Sequence, residues 1–151
     1  IQVCQRKGIA DALHCIDITR TPYPFPENSF DHVTVCGVFH LIDSIETILS
    51  ECKRLLKPGA CLTFTYEAHP DQHDHSNSDG YREIRTKGIY RKSDPRSGID
   101  CYRHSDEYIE SVLEIYHFEM AKEMTFRAYK VTPWADARYF TAILSRNKID
   151  D

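Results

Sequence analysis

Residues Tyr23 to Asp43 read YPFPENSFDHVTVCGVFHLID. Pro22, Pro24 and Pro26 crowd into residues 19–29 and exclude both helix and central strand there, because proline fixes φ and removes a backbone donor. The run DHVTVCGVF is β-branched and apolar, the composition of a buried strand, and Gly37 marks its end. His40 follows, and the pattern then changes to helical spacing. A stiff aromatic turn thus feeds a strand that stops on a glycine.

Downstream, Asp43 is placed to cap a helix with Glu46 three residues on, a variant of the capping box. Ile45, Ile48, Leu49, Cys52, Leu55 and Leu56 recur as one apolar stripe. Lys53, Arg54 and Lys57 suit the negative pole of that helix. Pro58-Gly59 forms a turn into a further strand, ACLTFTY. Upstream, residues 1–7 read as the end of a helix stopped by Gly8, and ALHCIDIT alternates as a short strand ending near Asp17.

Residues 67–104 are polar and lack periodicity, which predicts a lid or binding loop. Ser105 then caps a helix whose Ile109, Val112, Leu113 and Tyr116 share a face. Two strands close the chain, near 119–129 and 137–145. YFTAIL is apolar on both faces and belongs inside a sheet. The order predicts an α/β fold with a parallel core and an antiparallel final pair.

The 151 residues are 41% hydrophobic and 28% charged, as in one globular domain. A net charge of -4 and a pI near 6.1 argue against an overall nucleic-acid footprint. Arg82, Arg85, Lys87, Arg91, Lys92 and Arg96 nevertheless cluster, as a solvated face or as a patch for an anionic partner such as RNA or DNA. Six scattered cysteines without a C-x-x-C pair fit a reducing compartment, so a cytoplasmic protein is expected. His69, His73 and His75, with Glu67, Asp71 and Asp74, are ligand types zinc or copper would accept. Their spacing matches no known pattern, so a solvated loop and no metal is the expectation, with metal binding the alternative.

Taken in order, Asp17 closing a strand, YPFPENSFD, GVFHLI and LLKPGA resemble the central motifs of class I S-adenosylmethionine-dependent methyltransferases. The tail from CYRHSDEYIESVLEIYHFEM to YFTAILSRN resembles the last helix and strand pair of the same fold. The resemblance implies a Rossmann-like sheet, mostly parallel with an antiparallel carboxyl-terminal pair. It implies S-adenosylmethionine as cofactor, held beyond the carboxyl ends of parallel strands. Asp17 would accept a hydrogen bond from the adenine amino group, and the Ile18 backbone would meet the ring edge. Cys36, Gly37 and Val38 would pass beneath the sugar and methionine portions.

The family's glycine-rich loop after the first strand, and the acid closing the second, have no counterpart among these residues; no G-x-G occurs. By the resemblance the chain starts with Ile1 in the helix after the second strand, lacks the first two strands, and is a piece of a longer protein. The Asp17 strand would then miss its neighbours, and the 151 residues alone are expected to hold the cofactor weakly. The whole chain is read as one partial methyltransferase domain, with 67–104 as a lid-like insertion. Methyl transfer needs alignment and a dry site more than obligatory catalytic groups. His40, just past the pocket-forming strand, is the first candidate base, and His104 the second. Tyr66 and Glu67 fall on the same rim, while Tyr102, Arg103 and His104 are expected to begin the last helix and close over the site. A small-molecule acceptor is expected. A methyltransferase fold kept as a non-catalytic binding or regulatory protein is the alternative.

Overall fold

The computed structural model describes residues 2–8, 10–68, 80–95, 97–130 and 137–148. Helix α1 (Gln2–Lys7) precedes a long irregular stretch. Strand β1 (Phe30–Val35), a 3₁₀ turn (Phe39–Leu41), helix α2 (Glu46–Leu55) and strand β2 (Leu56–Glu67) follow. Short strands β3 (Arg82–Glu83), β4 (Ile89–Ser93) and β5 (Asp100–His104) come next, then helix α3 (Asp106–Ile115) and the long strands β6 (Phe118–Lys130) and β7 (Ala137–Asn147).

The main sheet has the order β1-β2-β7-β6. The β1–β2 pair is parallel, as the β1–α2–β2 crossover requires, and β7 runs antiparallel to both β2 and β6. The parallel portion among the described strands is therefore that one pair, less than the mostly parallel sheet expected. Pro58-Gly59 turns the chain within β2. Phe30 faces Leu56 while His32 faces Cys61, so Lys57–Ala60 loops out, with Gly59 at φ +75°.

The core lies between this sheet and the apolar faces of α2 and α3. Phe39, Ile45, Leu49, Leu56, Leu62 and Phe64 are fully enclosed, and Ile48, Cys52, Leu55, Ile109, Val112 and Leu113 join them. A fully buried side chain of this size contributes about 1.5–3 kcal/mol of hydrophobic stabilisation. Both predicted helical stripes thus face inward. β7 lies between two neighbours, as YFTAIL suggested, with Phe140 and Ile143 buried. Ser105 caps α3, its Oγ accepting from the Tyr108 N–H at 3.2 Å.

Four expectations change. Residues 12–17 form no strand: the segment carrying Asp17 has no ladder among the described residues, and an extended segment without a neighbour has nothing to pair with. Helix α2 starts at Glu46 with Ile45 in the capping position and no side-chain cap, and the Asp43 carboxylate instead accepts from the Ser44 N–H at 2.7 Å. Tyr102, Arg103 and His104 belong to β5 rather than to the last helix. The insertion is a second, antiparallel sheet, β3-β4-β5, on which the sequence showed no periodicity. His69, His73 and His75 lie outside the described residues.

Candidate functional site

The proline-rich turn is fastened to the last turn of α2. Arg54 bonds Glu51 through Nε to Oε1 at 2.9 Å and Nη2 to Oε2 at 2.8 Å. The same guanidinium donates to the carbonyls of Phe25 at 3.0 Å and Tyr23 at 3.1 Å, and Glu51 accepts the Tyr23 N–H at 2.7 Å. Arg54 holds the mostly buried Glu51 carboxyl below its ordinary range, so the clamp is charge-assisted throughout. The sequence reading treated Arg54 as a helix-dipole cation, and missed Glu51. The available signal was an acid and an arginine three residues apart on the face toward a proline-stiffened turn.

The turn in turn holds the Asp17 segment. Tyr23 donates its hydroxyl to the Ile18 carbonyl at 2.6 Å, and the Phe25 ring meets His14 and Phe30 edge-on. Burial, with Cys52 and Glu51 nearby, pushes the Tyr23 phenol up to about 12, so it stays a donor. Ile18 packs on the core while Asp17 is exposed. Asp17 Oδ1 accepts from the Thr19 hydroxyl at 2.7 Å and the Thr19 N–H at 3.0 Å, and Oδ2 lies 3.2 Å from Arg20 Nε. The Thr19 hydroxyl and amide, then Arg20, lower its pKa, leaving an ionised, acceptor-only group facing solvent.

Cys36, Gly37 and Val38 leave the carboxyl end of β1. Gly37 adopts φ +69° and donates its N–H to Thr65 Oγ1 on β2 at 2.8 Å. No atom lies within 4 Å of the place a β-carbon would occupy, so the backbone there is open to close approach. Cys36 is exposed and Val38 rests on the core. The Gly37 opening and the exposed, ionised carboxylate of Asp17 are thus each accessible from solvent.

His40 sits in the 3₁₀ turn, half-buried, its ring edge-on to Phe140 with centroids 5.3 Å apart. His104 is fully enclosed: its Nε2 lies 3.1 Å from the Asp43 carbonyl oxygen and its ring stacks on Tyr108. Burial is the larger influence and lowers its pKa, while the carbonyls of Asp43 and Ile42 act the other way. An imidazole so placed serves packing and has no open path to an acceptor, unlike the rim position expected for it. Tyr66 is also buried, donating to Asp106 Oδ1 at 2.7 Å; burial and that carboxylate hold its phenol protonated. Glu67 is 1% exposed and accepts from Arg103 Nε at 3.0 Å, tying the end of β2 to β5. The Arg103 guanidinium lies 4.1 Å from the Tyr81 ring centroid. Tyr102 alone of the β5 candidates lines an open cleft, of about 930 Å³.

These features define an α/β fold in which the parallel pair β1–β2 ends at the open Gly37. Residues 1–64 match the methyltransferase-domain family. Over 63 residues the chain is 36% identical to the ubiquinone/menaquinone biosynthesis C-methyltransferase UbiE of Brucella canis, a match covering 40% of this chain and 23% of that protein. It is 40% identical over 63 residues to the sterol 24-C-methyltransferase of Pneumocystis carinii, covering 42% of this chain and 16% of that protein. The chain therefore spans under a quarter of the length of these curated relatives. Among solved structures, an S-adenosylmethionine-dependent methyltransferase from Mesorhizobium loti matches with a TM-score of 0.66 at 13% identity, over 96% of this chain and 74% of that one. The 1,6-didemethyltoxoflavin-N1-methyltransferase of Burkholderia thailandensis, crystallised with S-adenosylhomocysteine, matches with a TM-score of 0.63 at 17% identity, over 98% and 56%. The first 64 residues are thus similar to the methyltransferase-domain family, and the chain shares the fold of solved S-adenosylmethionine-dependent methyltransferases. No described helix is long and apolar enough to cross a membrane.

Proposed function

We propose that residues 1–151 form the carboxyl-terminal part of a methyltransferase domain that transfers a methyl group from S-adenosylmethionine to a small-molecule acceptor, with residues 67–104 as its lid. The observation that carries this reading is Gly37, open and in a left-handed conformation at the carboxyl end of β1. When bound, the cofactor supplies a methyl group activated by its sulfonium. Gly37 and Cys36 would underlie its sugar and methionine portions, and Asp17 and Ile18 would meet the adenine. His40, three residues beyond Gly37, is the group we assign to removing an acceptor proton. The free cysteines support residence in the cytoplasm.

Calorimetric titration of the intact protein with S-adenosylmethionine and S-adenosylhomocysteine tests the reading. Saturable binding is expected, weakened about tenfold or more, some 1.4 kcal/mol, by Gly37→Val and by Asp17→Ala. Asp17 is exposed, so its truncation leaves folding intact. Failure to bind either compound, or binding indifferent to both substitutions, overturns the assignment.

A further inference from the structure

The register of the lid sheet sets which side chains stand together. Arg82 pairs with Arg91 across β3 and β4, and Arg91 pairs with Tyr102 across β4 and β5. Directly paired residues point to one face, so the three form a row across the sheet. Ile89 and His104, two residues away on that same face, are paired and fully buried against the body. The Arg82–Arg91–Tyr102 row therefore stands where the inner face of the lid rises off the body. It lines the cleft of about 930 Å³, together with Arg85 and Asp43. Asp43 ties this cleft to the rim, since its carbonyl meets His104 and it follows the Gly37-to-3₁₀ run by two residues.

Like charges directly opposite each other destabilise a strand pair. Arg91 has a partial partner in Asp100, 3.7 Å from its Nη1, but neither Arg82 nor Arg85 has an ion-pair partner among the described residues. The cleft's two carboxylates are engaged by backbone: Glu83 accepts from the Gly88 N–H and Asp43 from the Ser44 N–H. Lys92, also lining the cleft, has its ammonium 5.5 Å from the centre of the Tyr81 ring. Cations such as Arg82 and Arg85, gathered in a concavity without an ion-pair partner among the described residues, are expected where a ligand supplies the missing charge.

We infer that the row Arg82–Arg91–Tyr102, with Arg85, binds an anionic group, a carboxylate or a phosphate, carried by the methyl acceptor. Two guanidinium forks with a phenol hydroxyl match the planar or tetrahedral oxygens of such a group. The overall charge of -4 favours a single small anion over a long polyanion. The acceptor role rests on the methyltransferase reading above; the anion site does not.

The test titrates the intact protein with citrate and with inorganic phosphate at constant ionic strength, following the arginine Nε–H NMR signals. Cofactor affinity is measured separately by calorimetry. Saturable shifts are expected, weakened about fivefold or more by Arg91→Gln and by Arg82→Gln, with S-adenosylmethionine affinity unchanged. All three arginines are exposed, so the variants fold; Arg85→Gln provides a third check with a smaller loss. Shifts that never saturate, or that persist unchanged in the variants, overturn the proposal. So does arginine-dependent, salt-sensitive binding of a short single-stranded oligonucleotide where citrate and phosphate fail to saturate. Arginine-dependent anion binding without cofactor binding keeps the anion site and removes its reading as an acceptor site.

Discussion

The enclosure of His104 predicts a specific pH dependence of stability. In the unfolded chain its imidazole titrates near the ordinary value of about 6.5, whereas burial lowers its pKa in the fold. Its Nε2 faces the Asp43 carbonyl, which assigns the proton of the neutral ring to that nitrogen. Nδ1 is buried and has no hydrogen-bond partner among the described residues, so a second proton would be added where nothing accepts it. Between the lowered folded value and 6.5 the unfolded state binds more protons than the native state. Stability therefore rises with pH in that window; it is fully present above 6.5 and lost as the pH falls below it.

The slope cannot exceed about 1.4 kcal/mol per pH unit for one proton, which sets a ceiling of about 2 kcal/mol lost by pH 5. His104→Gln keeps a donor for the Asp43 carbonyl and cannot titrate. It gives up part of the stacking on Tyr108, at a cost that does not vary over this range. Urea unfolding of both proteins from pH 5 to 8, at constant ionic strength, isolates the term as the difference between the two profiles. The stability of the native protein should fall toward that of the variant as the pH drops through 6.5. Parallel profiles, or a native protein that gains on the variant upon acidification, would refute the reasoning.

Two further outcomes test how the β3-β4-β5 sheet is held in place. Arg103→Met removes the arginine partner of a carboxylate that is 1% exposed and should cost about 3 kcal/mol in urea unfolding, whereas the double variant Glu67→Gln/Arg103→Met recovers part of that loss; additive costs would show the pair uncoupled. Gly88→Ala would put a β-carbon 2.6 Å from Ser105 Oγ and 3.0 Å from Tyr108 Cβ at φ +81°. It should cost about 2–3 kcal/mol through strain and a disturbed α3 cap, and a change below 1 kcal/mol would contradict the geometry.

What the sequence disclosed follows from which interactions are local. The α2 stripe from Ile45 to Leu55 and the Ser105 cap are written at helical spacing, and both formed. The strand predicted to end at Asp17 failed because alternation shows only that a segment could pair; it carries no information on whether a neighbour exists. Arg54 illustrates a different limit. A cation in a last helical turn satisfies the dipole and a side-chain clamp equally well, and only the folded position of the Tyr23–Phe25 carbonyls separates the two. The second sheet stayed hidden because its strands are short and its register depends on the left-handed turn at Gly88. The row of Arg82, Arg91 and Tyr102 exists only once that register is known.

The molecule keeps two kinds of interaction in different places. Toward the amino end of β2 and along the helices the interior is mainly aliphatic and aromatic, with Glu51 on α2 and Asn147, whose amide donates to the Leu56 and Lys57 carbonyls, as buried polar exceptions. At the carboxyl end of β1 and β2 four part-buried polar contacts gather: Gly37 to Thr65, Tyr66 to Asp106, Glu67 to Arg103 and His104 to Asp43. Each links a different pair of segments, so together they fix the 3₁₀ turn, β5 and α3 against the ends of the two strands. An apolar core of equal volume would be as stable or more so, but it would set these segments with less geometric precision. Satisfied polar pairs are directional, and a site of the proposed kind, which would align a methyl donor with an acceptor, would gain from direction rather than from added stability. The polar pairs that join separate segments at this end thus hold the 3₁₀ turn, β5 and α3 in register with the strand ends.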